Sequence, residues 1–398
     1  MAISVEQAID LVLQYTHLLE EEEVPLLDAV GRILTRDVRA AIVQPPFDRS
    51  PLDGYAVRAE DLVGASREAP AVLQVVDKLY AGDVSGVPVC AGQAVRLMTG
   101  SMIPSGADCI IRQEDTDEDE SLVHIFKSAR SGENYCHRGE EYQMGACLIS
   151  AGRKVDAAAV AVAAGSGLTS LYVRRRMRVA VISTGDEVWQ PGTPLPPGKI
   201  YDSNTSYLVA RLHQLGAEIT AVDAIGDDLE QMTATLRRCS ADADLILTTG
   251  GVSVGQKDLA EAAMVAFGAR VVFHGIDVKP GMPTLFAEKN GLLLLGLSGN
   301  PFSAAVPFEL LLRPMLAKMT QDASIAPRRE TVRAANMFSK SSRVRRFLRA
   351  HSRDGQVFMP TEQSNGQMRS MIGCNCLIDV PAGSSEIPEG TQVEIIWL

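Results

Sequence analysis

Hydroxyls, glycines and carboxylates recur together at turns in the second half of the chain. They are "STGDE" (183–187), "GDD" (226–228), "TTGGVSVGQKD" (Thr248–Asp258) and "SGNP" (298–301). Glycine lets a backbone come close to a ligand, and hydroxyls with free helix N–H groups hold phosphate or oxyanion oxygens. Acids beside such a cradle repel the anion unless a divalent cation joins the two. Mg2+ does so through one or two carboxylates plus phosphate oxygens. The acids so placed are Glu187, Asp227 and Asp258, and the cradle is Ser183, Thr184, Thr249, Gly250, Gly251, Ser253 and Asn300. Each acid could instead cap a helix start; three at one edge favour a metal–phosphate site. Asn300 before Pro301 reads as an N-cap with proline at the first helical position. "KPG" adds Lys279 on a turn stiffened by Pro280 and Gly281. The long turn is neither a dinucleotide fingerprint nor a P-loop, since it lacks the spacing of the first and the Lys-Ser/Thr of the second.

These turns follow apolar runs and precede helix-like segments. "RVAVIS", "ITAVDAI", "DLILTT" and "GLLLLGL" each lead through a polar turn into a helical pattern. That alternation predicts βαβ units and a doubly wound, mostly parallel sheet, whose ligands sit outside the strands' carboxyl ends. The rest of the chain has a different rhythm. Ser4 is positioned to cap an N-terminal helix, and a second helix is expected over Leu27–Leu34. Residues 55–143 are short alternating segments with frequent Gly and Pro, a small β domain. "DAAAVAVAAGSG" (156–167) reads as an Ala-rich helix that packs back on the N-terminal ones, and 330–398 return to short strands. The expected division is 1–45 plus 144–175 (helical, discontinuous), 46–143 (β), 176–325 (α/β) and 326–398 (β). "YVRRRMR" (172–178) is expected to be an exposed linker face.

A chain of 398 residues is too long for one core. Its net charge of −11 argues against general binding to nucleic acid or acidic membranes, because a polyanion would be repelled. Seven cysteines without a Cys-x-x-Cys pair read as isolated buried thiols. No signal-peptide pattern opens "MAISVEQAIDLV" and no long apolar span follows, so the cytoplasm is the expected compartment.

In order along the chain, "SPLDGYAVR" (50–58), "RLMTGSMIPSGAD" (96–108), "GENYCHRGEE" (132–141), "VISTGDEV" (181–188), "DSN" (202–204), "TTGGVSVGQKD", "VKPGMP" (278–283), "GLSGNP" (296–301) and "RRFLRA…QSNGQMRSM" resemble the MoeA family of molybdopterin molybdenumtransferases. The α/β part alone is also similar to MoaB/Mog adenylyltransferases and the CinA group; the N-terminal motifs select MoeA. The resemblance implies a four-domain, L-shaped subunit that forms a homodimer. Its active cleft would lie between the central domain of one copy and the small β domain of the other. The implied reaction moves molybdenum from molybdate to adenylylated molybdopterin and releases AMP with Mg2+. A Mog-type adenylyltransferase and recipient molybdoenzymes are the implied partners, with neither nucleic acid nor membrane. By motif, Asp53, Thr99, Glu187 and Asp258 are the catalytic candidates, Glu187 and Asp258 the metal ligands, and Asp227, Lys279 and Arg349 among the substrate contacts. Without the resemblance, Asp53 before Gly54 reads as a turn residue and Thr99 before Gly100 as a loop hydroxyl.

Several positions depart from the family pattern. Cys136 stands for an arginine, Gly275 for a lysine four residues before "KPG", Met282 for a second lysine, Ser298 for proline, and Asn365 for a serine. The carboxylate set is kept better than the cationic one. The departures leave two other readings open: a non-catalytic molybdopterin carrier or scaffold, and an insertase tuned to tungstate.

Overall fold

The computed structural model describes residues 2–252, 259–339 and 341–398. Contacts divide the chain into two units, one of Met1–Glu23, Gly31–Thr35 and Tyr172–Leu398, the other of Val24–Val30 and Arg36–Leu171.

The first unit opens with helix α1 (Val5–Tyr15). Ser4 and Gln7 form the expected cap reciprocally, each side chain accepting from the other's backbone N–H at 3.1 Å. Val5, Ala8 and Val12 are buried against the helices and strands of this same unit. The expected helix over Leu27–Leu34 is only a single 3-10 turn, Leu26–Ala29. Gly31, at φ +79°, cannot continue it.

The second unit carries β1 (Gly54–Val57), β2 (Ala71–Leu79), β3 (Gln93–Leu97), β4 (Cys109–Arg112) and β5 (Leu122–Ile125). They form one sheet in the order β4-β1-β3-β2-β5, the small β domain the alternating pattern predicts. Helix α2 (Ala157–Gly165) follows, capped by Asp156, which accepts from the Ala159 N–H at 2.8 Å, and packs on the 3-10 turn.

In the first unit the strands β6 (Arg178–Thr184), β7 (Glu218–Ile225), β8 (Leu245–Thr249), β9 (Arg270–His274), β10 (Val278–Lys279), β11 (Leu285–Lys289) and β12 (Leu292–Leu297) alternate with α3 (Ser203–Gln214), α4 (Leu229–Cys239), α5 (Leu259–Phe267), α6 (Pro301–Pro307) and α7 (Arg313–Thr320). The sheet runs β7-β6-β8-β12-β11-β9, with β7, β6, β8 and β12 mutually parallel and β11 reversed. Val179 and Val181 pack on one face with α1, α3, α6 and α7, while Ala180 and Ile182 pack on the other with α4 and α5. A strand covered on both faces needs apolar residues at every position, and the strand "VAVI" supplies them. The chain leaves β6 for β7 on one side and crosses to β8 on the other. That reversal opens a crevice at the carboxyl ends of β6 and β8.

Strands β13 (Arg329–Ala334), β14 (Arg345–Arg353), β15 (Gln356–Phe358), β16 (Cys376–Val380) and β17 (Gln392–Trp397) close into a ring, since β14 pairs with both β15 and β16. Closure removes free edges from this β domain. Strand β10 adds to its outside in parallel, with Val278 opposite Arg345 and Lys279 opposite Arg346.

Two expectations about side chains are corrected. Arg176 and Arg178 of "YVRRRMR" are exposed as expected, but Arg174 and Arg175 are not part of a solvated face. Arg175 forks onto Asp244 at 2.6 and 2.7 Å and also pairs with Glu20, while Arg174 bonds the Leu19 carbonyl at 2.7 Å and Gln321. Four acceptors meeting one linker make it a staple within the first unit. The seven cysteines are all unpaired, but only Cys109, Cys239 and Cys376 are buried. Burial pushes the Cys109 and Cys376 thiols up to about 12, so they stay protonated.

Candidate active site

The crevice at the β6/β8 switch is a cavity of about 700 Å³, a size that suits a small-molecule site. Its walls include Thr184, Glu187, Asp227, Gly250, Gly251 and Asn300. Residues read from four separate turns thus meet in one place. Ser253 and Asp258 lie outside the described residues.

The glycines answer to backbone contacts. Gly250 sits at φ +94°, and a Cβ there would stand 2.3 Å from the Thr184 carbonyl oxygen and 2.8 Å from its hydroxyl. Any side chain would push the β8 turn off the β6 turn. Gly185 leaves room in the same way for the Glu187 carboxylate, which a Cβ would meet at 2.7 Å.

The capping alternative is decided acid by acid. Asp228 caps α4, accepting from the Gln231 N–H at 2.8 Å, and Asp202 caps α3, accepting from Thr205 at 2.9 Å. Asp227 is one residue too early to cap and lines the cavity; its own N–H donates to Asp186 at 3.1 Å. Glu187 precedes no helix. It is exposed, and its carboxylate makes no hydrogen bond or ion pair to a described residue. Asn300 stands at the N-cap position of α6 with Pro301 next, but its side chain makes no capping bond. The first free N–H groups of α6 are met elsewhere: Phe302 N–H donates to the Asn365 carbonyl at 3.0 Å.

Beneath the crevice a recess of about 70 Å³ is lined by Ser183, Thr184, Asn204 and Thr249, among others. Asn204, not singled out from the sequence, ties the turns together. Its Nδ2 donates to the Thr249 hydroxyl and to the Gly299 carbonyl, both at 2.9 Å. The Ser183 and Thr184 hydroxyls and the Asn204 Oδ1 are buried without a partner among the described residues. Unpaired buried polar atoms are costly, about 1–3 kcal/mol each, and they mark a polar floor.

A second cavity, about 140 Å³, lies in the same unit between Lys279, Pro280, Phe302, Arg346, Gln363 and Asn365. The two cavities flank the same stretches of chain, Pro301–Phe302 and Asn365–Gly366. Lys279 and Arg346 are register partners in the β10–β14 pairing, so both cations face one way. No acid lines this cavity among the described residues, and the Arg346 Nε is buried without a partner. Two cations with no acid beside them among the cavity's described lining residues are a set that can hold an oxyanion. Pro280 and Gly281 hold the Lys279 turn and are themselves buried.

Arg349, expected among the substrate contacts, lines neither cavity, and its Nε, like that of Arg346, is buried without a partner among the described residues. It is fully buried, its guanidinium 3.8 Å over the Phe302 ring. Its N–H groups go to Ser370 Oγ at 2.7 Å, the Ser364 carbonyl at 2.6 Å and the Gln367 carbonyl. Those bonds fix the 363–371 loop. Arg346, three residues earlier on the opposite face of β14, is the arginine that reaches a cavity. Period-two alternation in "RRFLRA" separates the two faces, but not which of them meets the pocket.

In the second unit Asp53 and Thr99 are paired. The Thr99 hydroxyl and N–H donate to Asp53 Oδ1 at 2.6 and 2.7 Å. The hydroxyl, then the amide, hold the Asp53 carboxyl below the usual range. The sign follows: Asp53 adds stability above the unfolded-state carboxylate pKa, and loses it as pH falls through the lower folded value. Thr99→Val is expected to move the Asp53 pKa upward in a carbon-13 NMR titration; an unmoved pKa would contradict the bond.

Known proteins resemble this one along nearly the whole chain. Residues 3–167 match the family described as MoeA N-terminal region (domain I and II). Residues 180–318 match a probable molybdopterin binding domain, and 331–398 the MoeA C-terminal region (domain IV). The chain is 37% identical over 380 residues to molybdopterin molybdenumtransferase 2 of Mycobacterium tuberculosis, covering 94% of each. It is 34% identical over 405 residues to the molybdopterin molybdenumtransferase of Bacillus subtilis, covering 100% of this chain and 94% of that one. A solved molybdopterin biosynthesis MoeA protein from Pyrococcus horikoshii superposes with a TM-score of 0.84 at 29% identity, covering 100% of this chain and 99% of that one. With three consecutive family regions and full-length relatives above 30% identity, the chain belongs to the MoeA family.

Proposed function

We propose that this protein transfers molybdenum from molybdate to adenylylated molybdopterin and releases AMP, a step of molybdenum cofactor biosynthesis. The observation that carries it is the pairing of cavities: an acid-bearing crevice at a parallel-sheet switch point beside a small cationic pocket. A substrate that receives the metal of a tetrahedral oxyanion at one part and releases AMP from its phosphate at another needs such neighbouring sites. The named relatives are transferases, which favours this reading over a non-catalytic carrier.

In the crevice, Thr184, Gly250, Gly251 and Asn300 bind and orient the phosphate portion. Glu187 and Asp227 supply hard oxygen donors next to that cradle, a set that suits Mg2+, which needs only one or two carboxylates besides phosphate. When bound, the ion would neutralise charge that develops on the phosphate oxygens. In the small pocket, Lys279, Arg346 and Asn365 hold molybdate. Arg346→Ala is expected to raise the KM for molybdate roughly tenfold or more, as loss of a charge-assisted contact does, with Tm changed little. An unchanged KM would place the oxyanion elsewhere.

The homodimer belongs to the proposal, with Asp53 and Thr99 contributed by the second copy. Helix α2 is apolar on every side and leaves Ala157, Ala161 and Ala164 exposed beside Leu27, which is 77% exposed. A helix apolar all round is ordinarily covered. Ala161→Glu is therefore expected to halve the mass read by light scattering, and an unaltered mass would move the interface from this face.

The reading is tested by incubating purified protein with adenylylated molybdopterin, molybdate and Mg2+ and measuring AMP. Molybdate-dependent AMP release with formation of active cofactor is expected. Release no faster than in a protein-free control would refute it.

A further inference from the structure

Tyr201 is an exposed ring that no core claims. It is 44% exposed, belongs to none of the apolar clusters and lines both the crevice and its recess. No other aromatic side chain lines the crevice among the described residues. Its neighbours on that wall, Ile200, Val252, Pro283 and Pro301, are aliphatic.

The ring is held. The Tyr201 hydroxyl donates to the Thr193 carbonyl at 2.8 Å, and the Thr193 hydroxyl donates in turn to Gln190 at 2.9 Å. Ile200 and Tyr201 form a short parallel pairing with Val188 and Trp189. The Ile200 N–H bonds the Glu187 carbonyl and the Asp202 N–H bonds the Trp189 carbonyl, each at 2.9 Å. Tyr201 thus stands between Ile200, whose N–H holds the Glu187 carbonyl, and the Asp202 cap of α3. With its hydroxyl tied back to Thr193, the half-exposed ring lines the crevice with its apolar part rather than with a free polar tip.

We propose that Tyr201 is a specificity-determining residue whose ring face stacks on a flat nitrogen heterocycle of the substrate. This deepens the proposed function and rests on it for the identity of the ligand, which contains two such rings, a pterin and an adenine. The chemistry recognised is shared: a planar π-system laid against an aromatic face, sequence-independent and orienting. Bracing costs the ring no freedom on binding, because its rotamer is already fixed by the Thr193 bond.

The test compares Tyr201→Leu, which keeps apolar bulk without a π-face, with Tyr201→Phe, which keeps the ring and loses only the tether. Melting curves establish that both fold. Binding of AMP and of 6-carboxypterin is measured separately by titration calorimetry, alongside turnover of the adenylylated substrate. Leu should weaken one of the two probes about tenfold (1.4 kcal/mol) and raise the substrate KM by a similar factor with kcat within about twofold; Phe should stay within about threefold. The probe that weakens names the stacked ring. Equal losses in Leu and Phe would assign the effect to the tether and overturn the proposal, as would wild-type affinity in Leu or no binding of either probe to the native protein. If the probes bind and respond to Tyr201→Leu while no AMP is ever released, stacking stands and the transferase reading falls.

Discussion

Glu187→Gln is expected to lower kcat by about two to three orders of magnitude, the usual loss when a group that manages charge or a proton at the reacting atoms is neutralised. Stability should hold within roughly 0.5 kcal/mol, as for surface substitutions, because the carboxylate is exposed and bonds no described residue. The change keeps size and shape, so the Gly185 clearance is still used. What is lost is the negative charge that opposes or recruits charge beside the phosphate. AMP release in single-turnover and steady-state assays reads the effect. A variant with wild-type kcat would remove Glu187 from the chemistry, and Asp227→Asn, tested in parallel, would then show which acid of the crevice matters.

The second large effect is structural and reaches function through geometry. Gly250→Ala adds a methyl group 2.3 Å from a backbone oxygen of the neighbouring turn, in a conformation at φ +94°. Backbone must move, since no flexible side chain is there to yield. Destabilisation of roughly 2–4 kcal/mol is expected from strain plus displacement, with activity lost in the fraction that still folds. Gly198→Ala is the control: its φ is +78° but nothing lies within 4 Å of the added Cβ. That variant should cost only the left-handed strain, about 1–2 kcal/mol, and leave turnover intact. Equal melting shifts for the two would mean that close approach at Gly250 contributes nothing.

The fold was legible where burial is two-sided. The runs "RVAVIS", "DLILTT" and "GLLLLGL" name themselves as inner parallel strands because both faces are covered and each holds an unbroken apolar stretch at its centre. Strands β9 and β11 escaped notice. "RVVFH" is the sheet's edge strand and mostly half-buried, while "LFAEK" buries Leu285, Phe286 and Ala287 but ends in two charged residues, so neither pattern is strong. The closing of the C-terminal ring depends on β14 pairing with β16 across the loop and short strand between them, and no local pattern reports a pairing at that separation.

For the site, spacing placed the acids and glycines at the sheet's carboxyl edge, and the structure brings the described ones together. It could not sort cap from ligand: that depends on whether an acid stands at the residue before the helix, as Asp228 and Asp202 do, or one earlier, as Asp227 does. Nor could it choose between Arg346 and Arg349, because the choice is made by a partner far along the chain. Phe302 offers its ring to one face of β14, while the other face meets Lys279. Asn204 and Tyr201 carried no signal alone, since an Asn in a first helical turn and a Tyr on a two-residue strand are ordinary until their neighbours are known.

The central claim, that phosphate and oxyanion sites adjoin at the switch point, is tested most directly by a crystal structure of the native protein soaked with AMP and molybdate. The account predicts AMP density in the crevice against Thr184, Gly250 and Glu187, with molybdenum's anomalous signal between Lys279 and Arg346. Molybdenum or nucleotide bound away from these two cavities would contradict it.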